Sequence, residues 1–105
     1  MESKFYQGTT PTLIFQVKPT TFDVSTIDIC HITLKNVGGG MQKTFNAIVD
    51  PEERTLHVNL TQEDTLAFES GKMKVQGKFK LNNGKVIASK EIITTLNEIL
   101  ERTIL

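Results

Sequence analysis

The chain has a single cysteine, Cys30, and no tryptophan. One thiol closes no internal disulfide and supplies no cysteine-cluster metal site, and the disulfide-and-tryptophan core of antibody domains is missing with it. No charge of one sign dominates: 12 Lys and Arg balance 12 Asp and Glu, so no global field is available to hold nucleic acid or an anionic membrane. No apolar run is long enough to cross a bilayer, and the polar opening MESKFYQ has no signal-peptide character, so a soluble protein made and kept in the cytoplasm is the expectation. Repeats, low-complexity tracts and linkers are absent too. A length of 105 residues suffices for a core without staples, and residues 1–105 are expected to form one domain.

What the chain does have is alternation. Residues 71–96 read GKMKVQGKFKLNNGKVIASKEIITTL, two alternating runs joined at Asn83-Gly84. Asn-Gly is the favoured pair for a two-residue type I′ hairpin loop. That loop sets Leu81 opposite Val86, Phe79 opposite Ala88 and Val75 opposite Ile92 on a buried face, with Lys72, Lys74, Gln76, Lys78 and Lys80 on the other. A three-residue loop would instead set Val75 against Glu91. The two-residue register leaves Gly77 facing Lys90 on the buried side, and a bulge near Ser89-Lys90 would relieve it.

The rest of the chain carries the same period. Residues 4–7 suggest a short edge strand and residues 8–11 a break. Residues 12–18 put Leu13, Phe15 and Val17 inward and Ile14 on the outer face. Residues 20–26 read as a loop that carries Phe22 back over the core. Residues 27–37 place Cys30, Ile32 and Leu34 on one face and His31, Thr33 and Lys35 on the other. Gly38-Gly39-Gly40 connects to a strand over residues 41–49 with Phe45, Ala47 and Val49 inward. After the turn Asp50-Pro51-Glu52-Glu53, residues 55–60 put Leu56, Val58 and Leu60 inward. Thr61 caps a helical turn near residues 61–68, with acids in its first turn and Leu66 and Phe68 plugging one end of the core. The tail either takes helical spacing at Leu96, Ile99, Leu100 and Ile104 or extends the last strand. The fold class is therefore all-β, an antiparallel sandwich with one short helix, and LTQEDTLAFESGKMKVQGKF resembles the corner before the sixth strand of immunoglobulin-like domains.

No catalytic set assembles from these faces. Cys30 points inward while His31 and His57 point outward, which separates thiol from imidazole. Two histidines without a third ligand make a poor metal site. The acids sit in turns and at the helix start, and the triple glycine lacks the Lys-Ser/Thr and helix of a phosphate loop. No cofactor is implied, and the chain reads as a non-enzyme.

Two surfaces remain as candidates. Six of the ten lysines fall between Lys72 and Lys90 with no acid among them, and Lys72, Lys74, Lys78 and Lys80 form a stripe. The stripe suits an anionic partner, or else solvates the strand and keeps it from pairing with strangers; no aromatics interleave it for stacking nucleic-acid bases. The second is an assembly surface. Ile14, Ile29, Ile87 and Ile93 fall on outward faces, and the tail adds Ile99, Leu100, Ile104 and Leu105. With strands from Lys4 and from Ile92 at sheet edges, these residues point to a homo-oligomer, unless the tail folds back over its own sandwich.

Three segments also carry a resemblance. FYQGTTPTLIFQV, LHVNLTQEDTLAF with its following Gly71, and KVIASKEI resemble short proteins encoded among the virion structural genes of phages and prophages of Gram-positive bacteria. Members carry a G-T-T-P-T start, an L-T-Q-E-x-T-L-x-F segment and an I-A-S near the end, here residues 8–12, 60–68 and 87–89. The chain is also distantly similar to the N-terminal sandwich module of phage baseplate proteins that carry receptor-binding parts. The resemblance implies a virion-associated structural protein with other virion proteins as partners, and it transfers no catalytic or ligand residue. The triple glycine and the lysine-rich strand depart from the family pattern.

Overall fold

A strand with alternating side chains buries one face, and two such sheets pressed together make a sandwich. The computed structural model describes residues 4–17, 22–38 and 40–104. The strands are β1 (Lys4–Tyr6), β2 (Thr12–Gln16), β3 (Ile27–Asn36), β4 (Gln42–Asn46), β5 (Ile48–Asp50), β6 (Thr55–Asn59), β7 (Gly71–Leu81), β8 (Val86–Ala88) and β9 (Ile92–Asn97), with one helix, α1 (Gln62–Ala67). One sheet has the order β1-β9-β7-β3-β4, with β8 also on β7; the other is β2-β6-β5. All pairings are antiparallel except β1 with β9. Lettered from β2 as B, C, C′, D, E, F and, for β9, G, the sheets read B-E-D and C′-C-F-G, the arrangement of an immunoglobulin-like sandwich.

The inward residues expected of β3 and β6 are the buried ones, Cys30, Ile32 and Leu34 against Leu56 and Val58. Met73 and Val75 of β7 and Leu96 of β9 complete this layer. Val24 is buried as well, on a 3-10 turn, Val24–Thr26, inside the stretch read as loop.

The β7–β8 hairpin corrects the expected register. Only Gly84 at its tip has positive φ, +87°, whereas a type I′ turn needs positive φ at Asn83 as well. Gly84 N–H donates to Leu81 O at 2.9 Å and Leu81 N–H to Lys85 O at 2.8 Å, closing a three-residue loop over Asn82, Asn83 and Gly84. The pairs are Lys80 with Val86, Phe79 with Ile87 and Lys78 with Ala88. Val86 and Ala88 thus leave the inner face, and Ile87, expected outside, shares the face of Phe79. The ladder then breaks where a bulge was expected: Ser89 N–H still bonds Gly77 O, yet Val75 pairs with Ile92. The extra residue restores parity, so Val75 meets Ile92 as expected and Gly77 faces Ser89 in place of Lys90.

Three further expectations change. Residues 41–49 form two strands, because the chain leaves β3 after Ala47, whose N–H donates to Cys30 O at 2.9 Å, and β5 then pairs with β6. β9 is no edge, since β1 and β7 flank it. Residues 98–104 are neither helix nor strand, and the tail lies back on its own chain. A Cβ at Gly8 would lie 3.5 Å from Ile99 Cγ2 and equally from Leu66 Cδ2, and Arg102 Nη1 donates to Gln7 Oε1 at 2.9 Å.

The helix closes one end. Thr61 Oγ1 accepts from Asp64 N–H at 3.1 Å, and Asp64 Oδ2 accepts from Thr61 N–H at 2.9 Å, a capping box. Asp64 Oδ1 also takes the Lys43 ammonium at 2.6 Å, joining the helix to β4. Burial pushes the Asp64 carboxyl up, but the bonds from Lys43 and Thr61 and the lysine charge outweigh it and hold its pKa below 3.8. A depressed carboxylate pKa stabilises the fold above its unfolded value, and that contribution is lost as pH falls through the folded one. The urea midpoint should therefore decline on acidification below about pH 4 more steeply than in Asp64→Asn, which has no charge to lose. Parallel acid limbs for the two proteins would rule out this linkage.

Candidate functional site

The lysines of β7 lie where parity put them. Lys72, Lys74, Lys78 and Lys80 occupy the outer face of the larger sheet, opposite Thr95, Ile93, Ala88 and Val86 on one side. On the other side Lys35 stands directly opposite Lys74, His31 opposite Lys78, and Ile29 opposite Lys80. Like charges directly opposite on one sheet face destabilise the pair, and none of the residues paired on this face is acidic. The one ion pair among the described residues, Lys43 with Asp64, lies elsewhere.

The expected assembly residues do not form one patch. Ile29 and Ile93 flank the lysines and are exposed, while Ile14 is exposed on the opposite sheet, beside His57 and Ile48. Ile87 turns toward Phe79, Ile99 packs over Gly8, and Ile104 sits by Thr10 and the start of α1. Leu100 is 98% exposed, and Leu105 lies outside the described residues.

A feature that strand parity did not reveal lies between the sheets. A cleft of about 880 Å³ opens there, walled by Phe15 and Leu56 from one sheet and Ile32, Val75, Phe79 and Ile92 from the other. Phe22, expected over the core, lines this cleft, its carbonyl accepting from Arg54 Nη1 at 2.7 Å. Gly77 forms part of the floor. A methyl there would sit 2.7 Å from Phe79 Cζ, so glycine lets that ring lie across the strand. The cleft's lip is the free edge of β2, whose one sheet neighbour among the described residues is β6. Val17 N–H donates to Arg54 O at 2.9 Å and Leu60 N–H to Pro11 O at 3.0 Å, so odd-numbered residues of this run turn their backbone groups to β6. Thr12, Ile14 and Gln16 turn theirs outward. The signal available in sequence was the absence of charge from residue 8 to residue 17, unusual for an edge.

Reactive groups stay apart. His31 and His57 are on different sheets, and His57 Nε2 lies 2.8 Å from Thr55 Oγ1. No group of three or more His, Cys, Asp or Glu that could hold a metal occurs among the described residues. Burial pushes the Cys30 thiol up to about 11. A neutral buried thiol is a poor nucleophile, so iodoacetamide near neutral pH should label native protein slowly and label it fast only in denaturant. Rapid labelling of folded protein would contradict this placement.

No protein-family model and no curated protein matches the chain. Among solved structures, a candidate glycoside hydrolase from Bacteroides vulgatus ATCC 8482 aligns with a TM-score of 0.55 at 17% sequence identity, over 93% of this chain and 17% of that one. At that identity the likeness is one of fold: the chain spans a small part of the larger protein, as a β-sandwich.

Proposed function

We propose that the chain is a non-enzymatic structural protein of a phage or prophage particle, assembling with itself or with head or tail (baseplate) components. The observation that carries the reading is the free β2 edge beside an open apolar cleft, a combination that invites another chain. The resemblance to virion-associated proteins supplies the setting, and its three motifs map onto structural contacts here. Thr9 N–H donates to Thr65 Oγ1 at 3.1 Å, joining the first motif to the second, and Ser89 Oγ of the third accepts from Gly77 N–H at 2.8 Å. The expected outcome is that particles purified after induction of the strain encoding this chain contain it by mass spectrometry, with portal, capsid or tail genes beside its own. Its absence from intact particles would end this reading.

A second reading rests on Lys35 opposite Lys74: an outer sheet face with adjacent unneutralised lysines fits an anionic partner. Retention on heparin at low salt should fall steeply as salt is added and vanish in Lys74→Glu with Lys78→Glu. A wild-type protein that passes through unretained would leave the lysines as a solvated face.

A further inference from the structure

We infer that the free edge of β2 is a two-fold self-pairing site, joining two copies of this chain into a dimer with one continuous sheet. The inference deepens the assembly reading by naming a partner, and it stands on three observations. The first is the backbone. Thr12, Ile14 and Gln16 present outward N–H and C=O groups with no strand to receive them among the described residues. A two-fold axis at Ile14 pairs Ile14 with its own copy and Thr12 with Gln16 in both directions. Each of these antiparallel pairs exchanges two hydrogen bonds.

The second observation is charge. An isologous contact sets a surface against itself, so a strand carrying a charge near the axis meets the same charge. Strands β1, β4 and β5 each include a charged residue, Lys4, Lys43 and Asp50, and β8 is three residues between Lys85 and Lys90. β2, Thr-Leu-Ile-Phe-Gln, has none. Native edges are protected by charge, proline or bulges, and this one lacks all three over its length. Its outward centre is Ile14, 55% exposed, which the axis would place against a second Ile14.

The third observation is the cleft. It opens past the same edge, with Phe15 and Gln16 at its lip. Continuing the sheet across the axis brings the two clefts mouth to mouth, so the apolar walls, including Phe79 and Ile87, face those of the second copy instead of water. A peptide from another protein could pair with the same edge, but it would leave the match of β2 to itself unexplained.

Sedimentation equilibrium of the full chain should give a dimer of the 11.8 kDa protomer. Ile14→Pro removes an outward N–H without touching the bonds to β6, since proline is tolerated where a strand's N–H faces solvent. It should be folded by circular dichroism and monomeric. Ile14→Cys should oxidise readily to a cross-linked dimer, because directly paired residues in such a ladder have Cα atoms about 5.5 Å apart, within disulfide reach. Ile48→Cys, exposed on the far edge of the same sheet, should not cross-link. A wild-type chain that stays monomeric at high concentration overturns the dimer, as does a folded Ile14→Pro that still dimerises. Should Ile14→Pro unfold, the cross-link decides, and equal oxidation at Ile14→Cys and Ile48→Cys overturns the proposal. Absence from particles would sink the virion reading and leave a demonstrated dimer standing; a monomer found in particles would do the reverse.

Discussion

The sandwich depends on a small polar lock at one end. Thr65, fully buried on α1, accepts a hydrogen bond from Thr9 N–H, and its hydroxyl lies 3.0 Å from Thr9 O. Next to it Asp64 caps the helix and receives Lys43 from β4. A six-residue helix has no stability by itself, so these bonds and the burial of Phe68 hold α1 in place. Gln7 continues the lock, donating from Nε2 to Phe68 O at 2.7 Å, and Asn36 bonds both the N–H and the C=O of Glu69. Gln7, Asn36, Asp64 and Thr65 are all buried, whereas Lys43 reaches in from an exposed position, and leaving a partner of a buried group unmet would cost about 1–3 kcal/mol. The lock ties the start of the chain, β4 and the helix together, and through them both sheets.

This arrangement explains what kind of likeness the sequence motifs carry. Residues 8–12 and 60–68 are the two halves of the lock, and residues 87–89 form β8 and its serine anchor. They specify how the chain closes on itself. A surface that meets another molecule has to be sought elsewhere, on the lysine face and the β2 edge, which the motifs touch only at Ala88 and Thr12.

Parity was legible wherever a strand has one dry face. Cys30-Ile32-Leu34 and Leu56-Val58-Leu60 could be placed from alternation because nothing polar interrupts the inner positions, and the Thr61 cap was readable because acid follows it at the third helical position. The hairpin misled because Asn83-Gly84 marks a tip without stating how many residues the loop holds; that depends on the φ of Asn83, which neighbours decide. Residues 41–49 misled for a different reason. Phe45, Ala47 and Val49 keep inward parity while the strand changes sheets, so alternation passes straight through the crossing. The lysine face was visible because its residues share one strand. The cleft was not, because its walls come from strands far apart in sequence, and an unpaired edge is a statement about a missing neighbour.

The break between Ser89 and Ile92 has a consequence for how this protein tolerates change. Because one extra residue is absorbed there, the register of β8 is uncoupled from that of β9. A gain or loss at the hairpin tip can slide three residues of β8 along β7 and be cancelled before it reaches Leu96. Drift in length is thereby confined to a side branch of the sheet, which makes the tip around Asn82 and Asn83 the natural place to splice in an epitope or a fluorophore without disturbing the interior.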